Sequence, residues 1–330
     1  MLYEFANAMA RRGHEVHFIH GPAGKQRVSH IDQVPFRFDA AVQHHIVDSL
    51  DDPSMPDGDV VFGPGCPPRV GQPAVFVQGF RLIPEWDAGA FRPPMPKVCI
   101  ASWLVDVGRW FGVPDEQLVH VPMGMDHELF AVRTSPSERT LDVAMLYHPN
   151  KEKGWDVGRQ VLEELVRRRP GLRAVVFTLA DPPTEPLPDG VQLLHGLEQR
   201  RLADDVYNAT RLLVQTSHHE GFGLTPVEAM ACGAALVTTD CGGSRDYALP
   251  DETARVVAAG DVAGLIAAAE DLLDNECERE ALAAAGARYV RKFDWARSAE
   301  LLEAFLERYL ADPAHFQRPP GEDRSKEYAL

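Results

Sequence analysis

The sequence predicts an α/β protein made of two domains, each a doubly wound parallel sheet. Short runs such as Ala174–Leu179, Leu212–Val214 and Ala235–Thr239 are apolar throughout, and they alternate with amphipathic patterns such as Trp155–Arg168. Strands of that kind are covered on both faces, which is the condition of a parallel sheet flanked by helices. The segment 212–239 reads as one complete β–α–β crossover. A chain of 330 residues, 45% hydrophobic and 25% charged, is long enough for two separate cores.

The elements follow in order. Leu2, Phe5, Ala6 and Met9 recur at helical spacing, Gly13 ends that helix, and Glu15–His20 alternates as a strand. Pro-rich stretches at Pro53–Pro73 and Phe91–Pro96 then separate short buried strands at Val60–Phe62, Ala74–Val77 and Val98–Ala101. The polar stretch Thr134–Arg139, TSPSER, divides two patterned regions and marks a domain boundary. Beyond it come strands at Leu141–Tyr147, Ala174–Leu179 and Val191–Leu194, with helices at Trp155–Arg168 and Leu197–Asn208. After the crossover lie a short strand, Arg255–Ala258, and Ala-rich helices at Val262–Leu273 and Arg279–Val290. A last helix, Ser298–Leu310, gathers Leu301, Leu302, Phe305 and Leu306 on one face, suited to packing more than to a membrane surface because its polar side is mixed in charge. From Ala311 onward Pro and charge predict a loose tail.

Composition excludes some functions. Lys plus Arg 33 against Asp plus Glu 49 gives a net charge of −16, which opposes general attraction to nucleic acid or anionic lipid. The five cysteines, Cys66, Cys99, Cys232, Cys241 and Cys277, are odd in number and show no C-x-x-C spacing, and no signal peptide or long apolar segment is read. The expectation is a reduced, cytoplasmic protein without structural zinc. His44-His45 and His218-His219-Glu220 do not form H-E-x-x-H, so no metal is assigned. The sequence has no G-x-S-x-G elbow or Walker A loop, and no G-x-G-x-x-G follows a strand, which disfavours a dehydrogenase.

The stretch His219–Gly243, HEGFGLTPVEAMACGAALVTTDCGG, carries the chemistry. It leaves a buried strand through a glycine loop, at the end of the sheet where open α/β folds bind ligands. A helix follows, with Thr225 placed to cap it, Pro226 at its first position and Gly233 where the chain must leave. Gly221 and Gly223 allow a ligand close to the backbone, and the helix N-terminus favours an anion such as phosphate. Glu220 and Glu228, with seven residues between them, flank this site and suit sugar hydroxyls. Phosphate beside hydroxyl-rich rings describes a nucleotide sugar. Alternative readings are a capping box, Thr225-x-x-Glu228, and an exposed loop acid at Glu220.

This Glu-x7-Glu pattern inside EGFGLTPVEAMACG resembles the donor site of retaining glycosyltransferases with the GT-B fold, glycosyltransferase family 4. The resemblance implies two Rossmann-like doubly wound domains facing across a cleft, with expected limits of 1–136 for the acceptor side, 137–297 for the nucleotide-sugar side, and 298–330 for a returning helix and tail. It implies that Glu220 lies beside the transferred sugar and that Glu228 holds the ribose, with Gly221, Phe222, Gly223, Leu224 and Thr225 lining the donor. In the loop 147–154, YHPNKEKG, Lys153 and Gly154 match the family's phosphate grip, whereas His148 or Tyr147 stands at its Arg. The missing cation is then supplied by Lys151, by His148 as imidazolium, or by the helix dipole. His195-Gly196 resembles the turn that meets the base, and Asp246 fills a further acidic position. Val121, Pro122, Gly124, Asp126 and Phe130 match the turn that closes the N-terminal domain, where Asp126 is either a ligand or a turn former. Asp57-Gly58-Asp59 recreates the metal pair of the other major transferase fold, but it precedes a strand and reads as a turn. The opening segment, LYEFANAMARRGHEVHFIHG, resembles the family's start without its first strand and glycine loop, which leaves an incomplete domain or a misassigned start. The implied reaction is glycosyl transfer with retention and without a required metal, to a glycan, lipid-linked or small-molecule acceptor, with membrane contact at most peripheral. The alternatives are a non-catalytic nucleotide-sugar-binding subunit and a nucleotide-sugar epimerase.

Overall fold

The computed structural model describes residues 2–20, 34, 36–49, 52–62, 70–80 and 89–324. Their chain forms two compact units: one from the described residues of Met1–Gln78, Ile83–Gly124 and Phe293–Ala329, the other mainly from Met125–Lys292. Cys66 and part of the first Pro-rich stretch lie outside the described residues.

The first unit opens on α1, Leu2–Arg11, followed by the parallel pair β1, Val16–His20, and β2, Val42–Ile46. A second parallel sheet runs β3-β4-β5-β6, from β3, Val60–Phe62, β4, Gln72–Val77, β5, Lys97–Cys99, and β6, Leu118–His120. Between β5 and β6 lies α2, Ser102–Trp110. Among the described residues the two sheets share no hydrogen-bonded strand pair. The returning helix, here α7, Trp295–Ala311, buries Ala299, Leu302, Phe305 and Tyr309 against Phe5, Ala8 and Met9 of α1 and against Ala74, Val98 and Val121. Its apolar face is thus spent on packing.

The expectation of a loose tail from Ala311 fails over residues 312–324. Phe316 is buried in the same core, Gln117 Nε2 donates to the Arg318 carbonyl at 2.8 Å, and Gly321 N donates to the Gly112 carbonyl at 2.8 Å. One aromatic anchor and backbone pairing outweigh a polar composition. The rest of the expected tail, 325–330, falls outside the described residues.

The second unit is a six-stranded, all-parallel sheet in the order β12-β11-β10-β7-β8-β9. Its strands are β7, Leu141–Leu146, β8, Ala174–Thr178, β9, Gln192–His195, β10, Thr210–Gln215, β11, Ala235–Thr239, and β12, Arg255–Val257. The central strands are dry: Val143, Met145, Val176, Leu212, Val214 and Val237 are all at most 1% exposed. This burial on both faces is why they are legible as unbroken apolar runs. Helix α3, Trp155–Arg168, follows β7, and α4, Leu224–Ala231, follows β10. Two more helices, α5, Val262–Asp274, and α6, Glu276–Tyr289, complete the layers, capped by the side chains of Asp261 and Asn275.

Sheet order fixes where a ligand can sit. From β7 the chain winds outward through β8 and β9, then returns to the other side of β7 as β10 and winds outward again through β11 and β12. The loops after β7 and β10 therefore part from each other at the carboxyl ends of adjacent strands, which is the topological switch point of a doubly wound sheet.

Two local expectations change. The helix expected over Leu197–Asn208 is a short α turn, Gln199–Arg201, running into a π turn, Leu202–Tyr207, closed by Asn208 N to the Ala203 carbonyl at 2.9 Å. The units change over at 124/125 and 292/293, beside the expected 136/137 and 297/298. Residues just after Gly124 join the second unit because Phe130 packs on Tyr207, with ring centroids 6.1 Å apart, and Arg133 N donates to Asn208 Oδ1 at 2.7 Å. Asp126 acts as a turn former, accepting from the amides of Glu128 and Leu129 at 2.9 and 3.0 Å.

Candidate functional site

Residues 147–154 after β7 and 216–223 after β10 meet at the switch point. Asn150 accepts from Glu152 N and opens a 3₁₀ turn over Lys151–Lys153, which ends at Gly154 with φ 64°. A Cβ at Gly154 would lie 1.9 Å from the Thr216 carbonyl oxygen, so only glycine lets the two loops cross here. The crossing is tied further by His218 N to the Glu152 carbonyl at 2.8 Å and by a hydrogen bond between His219 Nδ1 and Glu152 Oε2 at 2.6 Å.

That crossing brings Lys153 onto Glu220. Lys153 Nζ donates to Glu220 Oε1 and Oε2 at 2.9 and 2.7 Å, while Ser217 Oγ at 2.9 Å and Gln215 Nε2 at 3.3 Å complete the carboxylate's shell. Glu220 is 5% exposed, and its backbone is pinned through Glu220 N to the Cys241 carbonyl at 2.8 Å. A carboxylate this dry with four side-chain hydrogen bonds is a fixed group, not an exposed loop acid.

His148 completes this side. Its Nδ1 accepts from Asn150 N at 3.0 Å, and its pKa lies below the ordinary histidine value because burial and the Lys153 ammonium both disfavour the imidazolium. In the donor-free protein this setting disfavours the imidazolium, the form in which His148 would stand in for the family's Arg, although the Glu220 carboxylate partly opposes the shift. Lys153 remains as the buried side's cation.

Helix α4 starts earlier than expected. Its N-cap is Gly223, at φ 94°, and Leu224 is already helical, so Thr225 does not cap it. A Cβ at Gly223 would approach Tyr247 Oη to 2.5 Å, which gives the glycine a packing role in addition to any ligand approach. Phe222 is 2% exposed and stacks edge-on against Tyr247, with centroids 5.8 Å apart, so its ring faces protein. Gly221 is buried, while Leu224 and Thr225 are half-buried at the helix start.

Glu228 sits one turn into α4, and the alternative of a capping box is not realised, since the N-cap is Gly223. Its Oε2 instead accepts from Tyr207 Oη at 3.1 Å, and burial pushes its pKa up to about 7. Tyr207 is fully buried. Sequence reasoning missed Tyr207, Ser217, Gln215 and Tyr247. Ser217 and Gln215 could have been found from their spacing before Glu220, whereas nothing local marked the two tyrosines.

His195 and Gly196 lie apart from this cluster, exposed at the edge strand β9. Two strands separate β9 from β10, about 14 Å at ordinary strand spacing. Gly196 N pairs with the Thr178 carbonyl at 2.9 Å and φ is 68°, a tight exit from the sheet. A cleft of about 1210 Å³ opens on the α3 side, lined by Tyr147, Asn150, Trp155, Arg159, His218 and Asp240 among others. Of the candidate residues Tyr147, His148 and Lys151 line it, and Lys153, Glu220 and Glu228 do not. Among the described residues no group of three or more metal-ligating side chains converges.

Known proteins resemble this chain in both sequence and fold. A model of the family described as glycosyl transferases group 1 matches residues 184–289, which include the glycine loop, α4 and Glu228. The chain is 26% identical over 318 residues to the D-inositol 3-phosphate glycosyltransferase of Kineococcus radiotolerans, covering 84% of this chain and 68% of that protein. It is 33% identical over 215 residues to the MMP alpha-(1->4)-mannosyltransferase of Mycolicibacterium hassiacum, covering 62% of this chain and 52% of that protein. The chain spans about half the length of several curated relatives it matches, 54% for the D-inositol 3-phosphate glycosyltransferase of Segniliparus rotundus. Among solved structures, sucrose-phosphate synthase from Thermosynechococcus elongatus matches with a TM-score of 0.71 at 14% identity, over 94% of this chain and 92% of that one. Anabaena HepE, solved in complex with UDP-glucose, matches with a TM-score of 0.59 at 16% identity over 72% of each chain. At such identities the structural likeness is one of fold. With a group 1 match across the glycine loop and α4, and with paired parallel α/β units like those of these structural neighbours, the chain has a GT-B-like fold and is similar in sequence to the glycosyl transferases of group 1.

Proposed function

We propose that the protein transfers a sugar from a nucleotide-sugar donor to an acceptor with retention at the anomeric carbon, and without a required metal. The observation that carries this reading is the Lys153–Glu220 pair at the switch point, beside the N-terminus of α4 and within the same loop-and-helix unit as Glu228. Lys153 and the first amides of α4 would receive the diphosphate, whose charge grows as the sugar departs. Glu228, with one carboxylate oxygen on Tyr207, has the other for a ribose hydroxyl, and Glu220 would lie against the sugar. The turn at His195-Gly196 would meet the base. The acceptor is a glycan, a lipid-linked molecule or a small molecule. We further infer a cytoplasmic protein with at most peripheral contact at the inner membrane face. This is supported by the charge of −16. No helix among the described residues is long and apolar enough to cross a membrane.

A second reading, nucleotide-sugar binding without transfer, is favoured by a histidine whose imidazolium is disfavoured, His148, at the place of the family's Arg. Incubation with UDP-glucose, GDP-mannose and related donors, followed by detection of released sugar or transferred product, separates the two. Under the transferase reading, Glu228→Ala weakens nucleoside diphosphate binding by about 1 to 3 kcal/mol, the scale of hydrogen bonds to a charged group. Glu220→Ala costs turnover more than affinity. Equal loss of both at Glu220, or unchanged affinity at Glu228, contradicts the assigned roles.

A further inference from the structure

We propose that Tyr207 is a positioning residue whose hydroxyl fixes both the orientation and the charge state of Glu228, and through them the affinity of the site for a nucleoside diphosphate. The inference rests on the donor-site reading above and adds the control of one of its ligand groups.

The geometry is over-determined. In a regular α-helix the residues before β10 would present a different face, but the π turn Leu202–Tyr207 inserts a residue and redirects the Tyr207 side chain toward α4. Two buried groups hold that turn. Asn208 Nδ2 donates to the carbonyls of Ala203 at 3.0 Å and Ala131 at 3.1 Å. Arg139, 4% exposed, donates to the carbonyls of Tyr207 at 3.0 Å and Thr210 at 2.6 Å from Nη1, and to the Cys232 carbonyl at 2.6 Å from Nη2. Since Cys232 ends α4, one guanidinium ties the turn that carries Tyr207 to the helix that carries Glu228.

The groups facing Glu228 leave its charge exposed to this one contact. From the π turn comes Tyr207, fully buried and held protonated by burial and by the adjacent carboxylate. From α4 comes Thr225, whose hydroxyl touches Tyr207. At the helix end lies Cys232, a neutral thiol pushed up to about 12 by burial. Arg139 and Arg133 act on Cys232, and neither pairs with Glu228 among the described residues. Among the described residues this carboxylate has no counter-ion, so its ionised form depends on the Tyr207 hydroxyl as donor, consistent with its pKa of about 7. Ribose hydroxyls donate best to the ionised form. The sign follows: protonation below about pH 7 weakens nucleotide binding, and the ionised form above it binds fully.

The test uses the whole chain and UDP, GDP and ADP as probes, with dissociation constants measured from pH 5.5 to 9. Glu228→Gln supplies the control profile, since it keeps only the titration of the ligand's own phosphate. Relative to that control, wild-type affinity rises through pH 7 and levels off. Tyr207→Phe keeps the ring and removes the donor. A midpoint raised by about one pH unit lowers the ionised fraction at pH 7 from about one half to about one tenth, so binding weakens about fivefold at pH 7 and equals wild type at pH 9. A purely structural role weakens binding by the same factor at every pH, and that result, or superimposed profiles, overturns the proposal. Carboxyl titration of the ligand-free protein by carbon NMR, assigned through Glu228→Gln, reads the same shift without nucleotide. If the midpoint moves there but no probe binds wild type, the donor-site reading fails while the Tyr207–Glu228 coupling stands. If probes bind wild type and the midpoint does not move, the coupling fails alone.

Discussion

Replacing Lys153 by Met tests whether the switch-point ion pair behaves as a buried or a surface interaction. Met keeps much of the side chain's volume and removes the charge, leaving the Glu220 carboxylate, 5% exposed, with Ser217 and Gln215 as its side-chain donors among the described residues. Breaking a buried pair costs about 3 to 5 kcal/mol. The Lys153 side chain keeps 27% of its exposure and the two neutral donors remain, so the expected loss is smaller, about 2 to 3 kcal/mol. Glu220→Gln leaves a lysine that can still reach water, and costs about 1 kcal/mol. The double variant is more stable than the sum of the singles by about 2 kcal/mol, because removing both charges leaves neither one stranded. Urea denaturation of wild type, both single variants and the double variant at pH 7.5 closes the cycle, and repeating it at high salt should change the coupling little. A coupling below about 0.5 kcal/mol, or one that salt abolishes, would mean that the pair is solvated and that its position at the switch point has no energetic significance.

Two further outcomes follow from the same loops. His148→Arg restores a permanent cation beside Lys153 and should tighten UDP or GDP binding by about 1 kcal/mol, roughly fivefold, with steeper salt dependence. Unchanged affinity in a titration would remove this loop from the diphosphate site. Gly154→Ala forces a left-handed residue against the Thr216 carbonyl and should cost more than about 2 kcal/mol, read as a lower melting temperature. A neutral effect would show that the loop crossing is looser than described.

The sequence was most informative where local physics decides the structure. The strands of the second unit are apolar on both faces, so β7, β8, β10 and β11 were legible as short unbroken runs to within a residue or two. Lys153 and Glu220 were each legible within their own loops, but their meeting was not, because 67 residues separate them and only the reversal of strand order joins those loops. The start of α4 was misplaced because a Ser/Thr cap is a common signal, whereas a glycine at φ 94° under Tyr247 is set by tertiary packing. Tyr207 was invisible for a similar reason: helical periodicity cannot distinguish an α turn from a π turn, and the difference decides which way the ring points. The docked tail was lost because composition averages over Phe316, the aromatic residue that joins it to the core.

The locked backbone at Gly154 divides the loop after β7 into two halves with different freedom to change. Lys153 stands next to a residue that admits no Cβ, and its ammonium is matched to a rigid acid, so its location is dictated by the sheet beneath it. The stretch from His148 to Lys151 arches free of that constraint and is largely solvent-facing. Apart from the cap residue Asn150, side chains there can be exchanged with little cost to folding, so the strength of the proposed anion grip would be tuned by single substitutions while the anchor of the loop stays put.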